Sequence, residues 1–130
     1  MNQALKNKEF VLEYLNAISG KEKTAETMAH YITDQGLIEH IIFFDGAFPK
    51  YEMIADEMIS EGNKIMVRAR LIGKHEGVFG DIMPSYRSVN FPFVVTYVIE
   101  NQKIVSHWLI ADQMVLMEQL GVEQAVTTGH

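Results

Sequence analysis

Hydrophobic positions in the first fifty residues recur at helical spacing. Leu5, Val11, Leu12, Leu15 and Ile18 predict a helix from Ala4 to Ser19, with Gly20 as its C-terminal stop. Thr24 is a favoured N-cap residue and opens a short second helix reaching Tyr31. Gln35 to Ala47 predicts a third, which puts Leu37, His40, Ile41, Phe44 and Phe48 along one face. Thr33 or Asp34 would cap it, and Pro49 marks its end.

Beyond Pro49 the period changes. Tyr51 to Ile59 mixes apolar and acidic residues, as an edge strand does. Glu61-Gly62-Asn63-Lys64 reads as a turn. Ile65 to Ile72 alternates, with Ile65, Val67, Ala69 and Leu71 on one side, the pattern of a half-buried antiparallel strand. After a loop containing Gly77, Gly80 and Pro84, Phe91 to Ile99 is almost continuously apolar. It reads as a central strand covered on both faces, with Pro92 near its start. Glu100 to Lys103 turns the chain into a last strand, Ile104 to Ile110. A closing helix, Gln113 to Leu120, ends at Gly121. This order predicts an α+β fold as one domain over residues 1–130: a curved antiparallel sheet of about four strands wrapped around the N-terminal helices. Such a sheet leaves a pocket between itself and the helices. No helix remains to cover its outer face, so a second copy is expected there, as a homodimer.

Composition narrows the function classes. The 130 residues are 48% hydrophobic and 22% charged, which is ordinary globular chemistry. With 11 Lys+Arg against 17 Asp+Glu the net charge is −6, and no basic stripe exists to hold a nucleic acid backbone. There is no Cys, which fits a reducing compartment. The start, MNQALKNKEF, has no apolar signal region, and no apolar run approaches the ~20 residues of a membrane span. A cytoplasmic domain acting on a small molecule or a protein partner is the expectation, with a non-catalytic ligand-binding or dimerisation module as the alternative. The five His show neither HxH nor HExxH spacing, so no metal site is expected. Nucleophile elbow, P-loop and dinucleotide fingerprint are all missing, and no cofactor is expected. Acid/base chemistry on a bound apolar, oxygen-bearing molecule is what the inventory supports.

Asp112 sits between the last strand and the last helix. It is either a carboxylate in an apolar pocket, raised in pKa and able to move a proton, or an N-cap. Strand alternation puts Trp108, Ile110 and Asp112 on one face, as pocket wall or core, and His107 on the other unless a bulge reverses the phase. His75 continues the phase of Ala69 and Leu71 toward the inner side, next to the glycine loop. It is a candidate acid/base or a hydrogen-bonded loop residue. His40 lies on an apolar helix face, either as a catalytic partner that, like His75, assists Asp112 or as a core histidine. Tyr14 and Tyr97 could offer hydroxyls to a ligand or pack in the core. Phe91 and Met114 complete the candidate substrate-binding set. Arg68 and Arg70 face Asp56 and Glu57 across the sheet and read as ion pairs.

From Ala47 onward the chain resembles the SnoaL-like polyketide cyclase family of the nuclear-transport-factor-2-like superfamily. The residues that carry the likeness are Ala47-Phe48-Pro49, Glu61 to Arg68, Gly73 to Gly80, Lys103 to Trp108, Ala111-Asp112-Gln113 and Gln119-Leu120-Gly121. The resemblance implies a cone-shaped α+β barrel with a deep pocket, usually dimeric. It also implies ring closure by aldol chemistry, with an acidic general acid/base and no metal. Asp112 matches that acid/base position. Three departures accompany the likeness. Phe93 to Val98 lacks the histidine that some cyclases carry on this strand. Met83-Pro84-Ser85-Tyr86 replaces the usual Pro-Pro-Thr-Gly turn. The stretch from Tyr31 to Phe48 is shorter, so His40 either matches the family's pocket histidine or belongs to another helix register.

Overall fold

The computed structural model describes residues 3–122. Helix α1 runs Gln3–Ile18 and buries Asn7, Phe10, Val11, Tyr14, Leu15 and Ile18, the i, i+3, i+4 stripe its sequence calls for. Gly20 ends it in the left-handed region (φ 74°) and donates its N–H to the Tyr51 carbonyl at 2.9 Å. Helix α2 is only Ala25–Met28, capped by Thr24, and so stops short of the predicted Tyr31. Tertiary pairing overrides local propensity here. Ile32 bridges to Ile104, Ile104 N–H donates to the Tyr31 carbonyl, and Lys103 Nζ donates to the carbonyls of Ala29 and His30. Helix α3, Gln35–Ala47, matches its predicted span, and the cap is Asp34, whose Oδ1 accepts from Leu37 N–H.

Four strands follow: β1 Glu52–Glu61, β2 Lys64–Lys74, β3 Ser88–Glu100 and β4 Lys103–Ala111. They form one antiparallel sheet in chain order, curved but not closed, and α4, Gln113–Leu120, ends the described chain. Pro92 lies inside β3 rather than near its start. It is tolerated because β4's pairing ends at Phe93↔Ala111, so no ladder partner is lost on that side. Along the concave face, Ile65, Val67, Ala69 and Leu71 pair across to Tyr97, Val95, Phe93 and Phe91, and all eight are buried. α1 packs on β1 and β2, and α4 on β3. The convex face carries no helix among the described residues. Ion pairs Arg70–Asp56 and Arg68–Glu57 lie there as the sequence predicts.

The phase of β4 differs from the prediction. Ile99 pairs with Ile104 but Val98 pairs with Ser106, so Val105 is an extra residue, a β-bulge. Ile104 faces in, and past the bulge it is His107, Leu109 and Ala111 that face in, beside Tyr97, Val95 and Phe93.

Candidate functional site

A hollow of about 50 Å³, open at one side, lies between the concave sheet and the helices. Tyr14 of α1, Leu37, His40, Ile41 and Phe44 of α3, and Tyr51 form one side. Met53, Leu71, Phe91, Phe93, Tyr97, Leu109, Ala111 and Gln113 form the other. The volume holds a few waters or the end of a small molecule, well below the ~300 Å³ of a drug-sized site. Tyr14 and Tyr97 stand edge to face, ring centroids 5.8 Å apart and planes at 88°. Burial pushes both phenol pKa values up, with Tyr97 and Tyr51 adding to the rise at Tyr14. Both therefore stay protonated. The two hydroxyls influence each other, yet Tyr14 Oη has no partner in hydrogen-bond geometry.

At the N-terminus of α3, His107 Nδ1 lies 2.7 Å from Asp34 Oδ2. A carboxylate can only accept, so His107 carries its proton on Nδ1 and leaves Nε2 with a free lone pair when neutral. Asp34 thus serves two masters, with Oδ1 on the helix N–H and Oδ2 on the imidazole. Partial burial would push the Asp34 carboxyl up, but the His107 and Leu37 hydrogen bonds hold it below its usual range. His40, its ring 4.7 Å from that of Phe44, is lowered by burial and further by nearby His107. A neutral His40 imidazole therefore lines the apolar hollow, and the Asp34–His107 pair stands next to Tyr97 of its wall.

Of the residues singled out by sequence, Tyr14, Tyr97, Phe91 and His40 come together on the wall. Trp108 and Ile110 do not. They are 59% and 57% exposed on the convex face, because the Val105 bulge inverts β4's alternation. Met114 is also exposed, since α4 buries its Leu116 and Leu120 side. Asp112 is exposed rather than desolvated in a pocket. It is the α4 N-cap, with Oδ1 accepting from Val115 N–H at 3.1 Å. His75 is fully buried but away from the hollow. Its Nδ1 accepts from Ser85 N–H (3.0 Å) and meets Ser85 Oγ (2.9 Å), which leaves the proton on Nε2. His107 and Asp34, which do not themselves line the hollow, meet next to Tyr97, where sequence alternation puts His107 only if a bulge intervenes. The bulge that brings them together leaves no mark in composition, although Asp34 was legible as a cap.

Burial lowers the pKa of His75 as it does that of His40. The unfolded chain, with histidines near 6.5, therefore binds more protons below that pH than the folded one. Stability contributed by the two neutral rings is present above pH ~6.5 and is lost as pH falls through it. Urea midpoints should fall between pH 7.5 and 5.5, and His40→Gln should flatten that fall. A steeper fall in the variant would contradict the assignment.

A sequence model of the SnoaL-like polyketide cyclases matches residues 18–120. The chain belongs to that family. Solved structures share its fold at low sequence identity. TsrD from Streptomyces laurentii superposes with a TM-score of 0.78 at 18% identity, covering 95% of this chain and 99% of that one. AclR, a proposed hydroxylase from Streptomyces galilaeus, gives 0.77 at 18% identity, covering 98% and 90%. A SnoaL-like polyketide cyclase from Agrobacterium tumefaciens gives 0.72 at 19% identity, covering 88% and 98%. No curated protein sequence matches the chain. Family and fold are those expected from the motif blocks between Ala47 and Gly121. Among the described residues no three His, Asp or Glu are placed to hold a metal ion, and no helix is long and apolar enough to cross a membrane.

Proposed function

We propose that this SnoaL-like chain binds a small apolar, oxygen-bearing molecule in the hollow, in the cytoplasm and without cofactor, and moves a proton at a carbon next to a carbonyl. Aldol-type cyclisation, isomerisation and addition–elimination all begin with that step. The observation that carries the reading is the Asp34–His107 pair, an oriented imidazole whose strand partner, Tyr97, is part of the hollow's apolar wall. In the forward step His107 Nε2 takes the α-proton and the C–H electron pair moves onto the carbonyl oxygen. The Asp34 carboxylate holds Nδ1–H and stabilises the imidazolium. The proton then returns to carbon or passes to a leaving group.

A second reading gives the proton transfer to Asp112. It occupies the family's acid/base position, and Ala111 and Gln113 on either side of it both line the hollow. Either base predicts exchange of the α-hydrogens of a small ketone in D₂O, followed by loss of their NMR signal. Exchange no faster than buffer with every ketone tried would leave a receptor without chemistry, the non-catalytic alternative on the same fold.

The expected homodimer belongs to the convex face. Ile59, Met66, Thr96 and Trp108 are in register across all four strands there, and Ile59, Met66 and Trp108 are exposed. Trp108→Arg should leave the thermal midpoint of an isolated chain unchanged but give a monomer by sedimentation. A variant with the wild-type sedimentation coefficient would remove this face as the interface.

A further inference from the structure

Three buried polar atoms among the described residues have no hydrogen-bond partner: Asn7 Nδ2, Tyr14 Oη and His75 Nε2. Of these residues only Tyr14 lines the hollow. Its side chain is fully buried, and burial keeps its phenol protonated, so it is a donor with no acceptor in hydrogen-bond geometry, the Tyr97 hydroxyl being near but not so aligned. The perpendicular Tyr97 ring fixes its orientation. The lining contains no Asp, Glu, Lys or Arg, and burial disfavours the charged form of its one histidine, His40, so a charged group entering it would be stripped of water with no charged partner in place. With about 50 Å³ available, only the end of a molecule fits within.

We infer that the group entering this hollow is a neutral carbonyl, whose oxygen accepts the Tyr14 O–H, and that Tyr14 is the residue selecting carbonyl compounds over hydrocarbons and over acids or amines. The inference rests on the reading of the hollow as a ligand site. Its chemistry is complementary: the ligand supplies an acceptor to a donor that has none, and the apolar wall takes the adjoining carbons. Tyr14 acts here as a specificity-determining contact. Polarising the carbonyl also favours electron density on its oxygen, the direction that α-proton removal requires.

The test compares cyclopentanone with methylenecyclopentane, the same shape without the oxygen, and with cyclopentanecarboxylate and cyclopentylamine, each titrated by NMR chemical shift into wild type and Tyr14→Phe. The ketone should bind wild type on the order of 10-fold more tightly than the alkene, the worth of one hydrogen bond. In Tyr14→Phe the two should agree within roughly 2-fold. The carbonyl stretch of bound ketone should sit at lower frequency in wild type than in the variant, a change that loss of packing would not produce. Ligand-free Tyr14→Phe should melt no lower than wild type, because no bond is lost. Equal affinity for ketone and alkene in wild type, an undiminished ketone preference in Tyr14→Phe, or tighter binding of the carboxylate overturns the inference while leaving the hollow a ligand site. Binding of none of the four overturns both.

Discussion

Gly77→Ala should be the most damaging single methyl group that can be added to this protein. A Cβ at Gly77 would lie 2.0 Å from the Gly46 carbonyl oxygen and 3.1 Å from its carbon. The obstacle is backbone, in the last turn of α3, and cannot rotate away. Nor can the loop back off cheaply, because Glu76 and Gly77 N–H groups both donate to the Ala47 carbonyl at 3.1 Å. Glycine is required here by close approach and not by a left-handed φ. Overpacking of this kind costs about 3 kcal/mol or more, a large share of the stability of an ordinary domain. The expected result is a urea midpoint lowered by more than half, or no folded protein. Gly46→Ala is the control. Its Cβ would meet nothing within 4 Å, and alanine outperforms glycine by roughly 0.5–1 kcal/mol in a helix interior and by less in the last turn, so this variant should be no less stable than wild type. If both variants melt like wild type, the loop does not dock on α3 as described.

That loop shows what the sequence could and could not reveal. Its glycines were visible as a motif block, but which glycine is sterically obligatory depends on a contact thirty residues away in the chain. Element order was legible because period 3.6 gives way to period 2 after Pro49, and because α2, α3 and α4 each have a capping residue where the pattern begins. The wall residues on α1, α3 and β3 followed from the same periodicity, which is why Tyr14, His40, Phe91 and Tyr97 were found. β4 departs from simple alternation because one extra residue, Val105, shifts every later side chain to the other face. A bulge is a pairing event, and local sequence carries little trace of it. Reading Trp108 and Ile110 inward and His107 outward was the direct consequence. Asp112 illustrates a different limit. Capping and catalysis call for the same residue type at the same strand–helix junction, and one carboxyl oxygen can cap while the other serves chemistry; the bond from Val115 N–H, made by an exposed side chain, is the cap.

His107→Ala should reduce ketone α-exchange by about 10²–10⁴-fold, the usual worth of a positioned general base. The fold should survive, since the His107 side chain is partly exposed and Asp34 Oδ1 still caps α3 after the imidazole is gone. Added imidazole should restore part of the lost rate by occupying the space vacated beside Tyr97. Rescue of that kind reports base chemistry and would not follow from repairing a structural ion pair. Asp34→Asn makes the complementary case. Its side-chain oxygen can still cap Leu37, but an amide facing Nδ1 can donate and so favours the wrong tautomer, with the proton on Nε2. The melting temperature should hardly change while exchange slows by at least ~10²-fold. Asp112→Asn should do neither, because Asn caps a helix as well as Asp and the carboxylate has no further partner. The reverse pattern, with exchange abolished in Asp112→Asn and intact in His107→Ala, would return the reaction to the family's acidic position. The Asp34–His107 pair would then be a tether between α3 and β4. The two outcomes separate cleanly because the dyad and Asp112 share no hydrogen bond, so that removing one leaves the other's geometry in place.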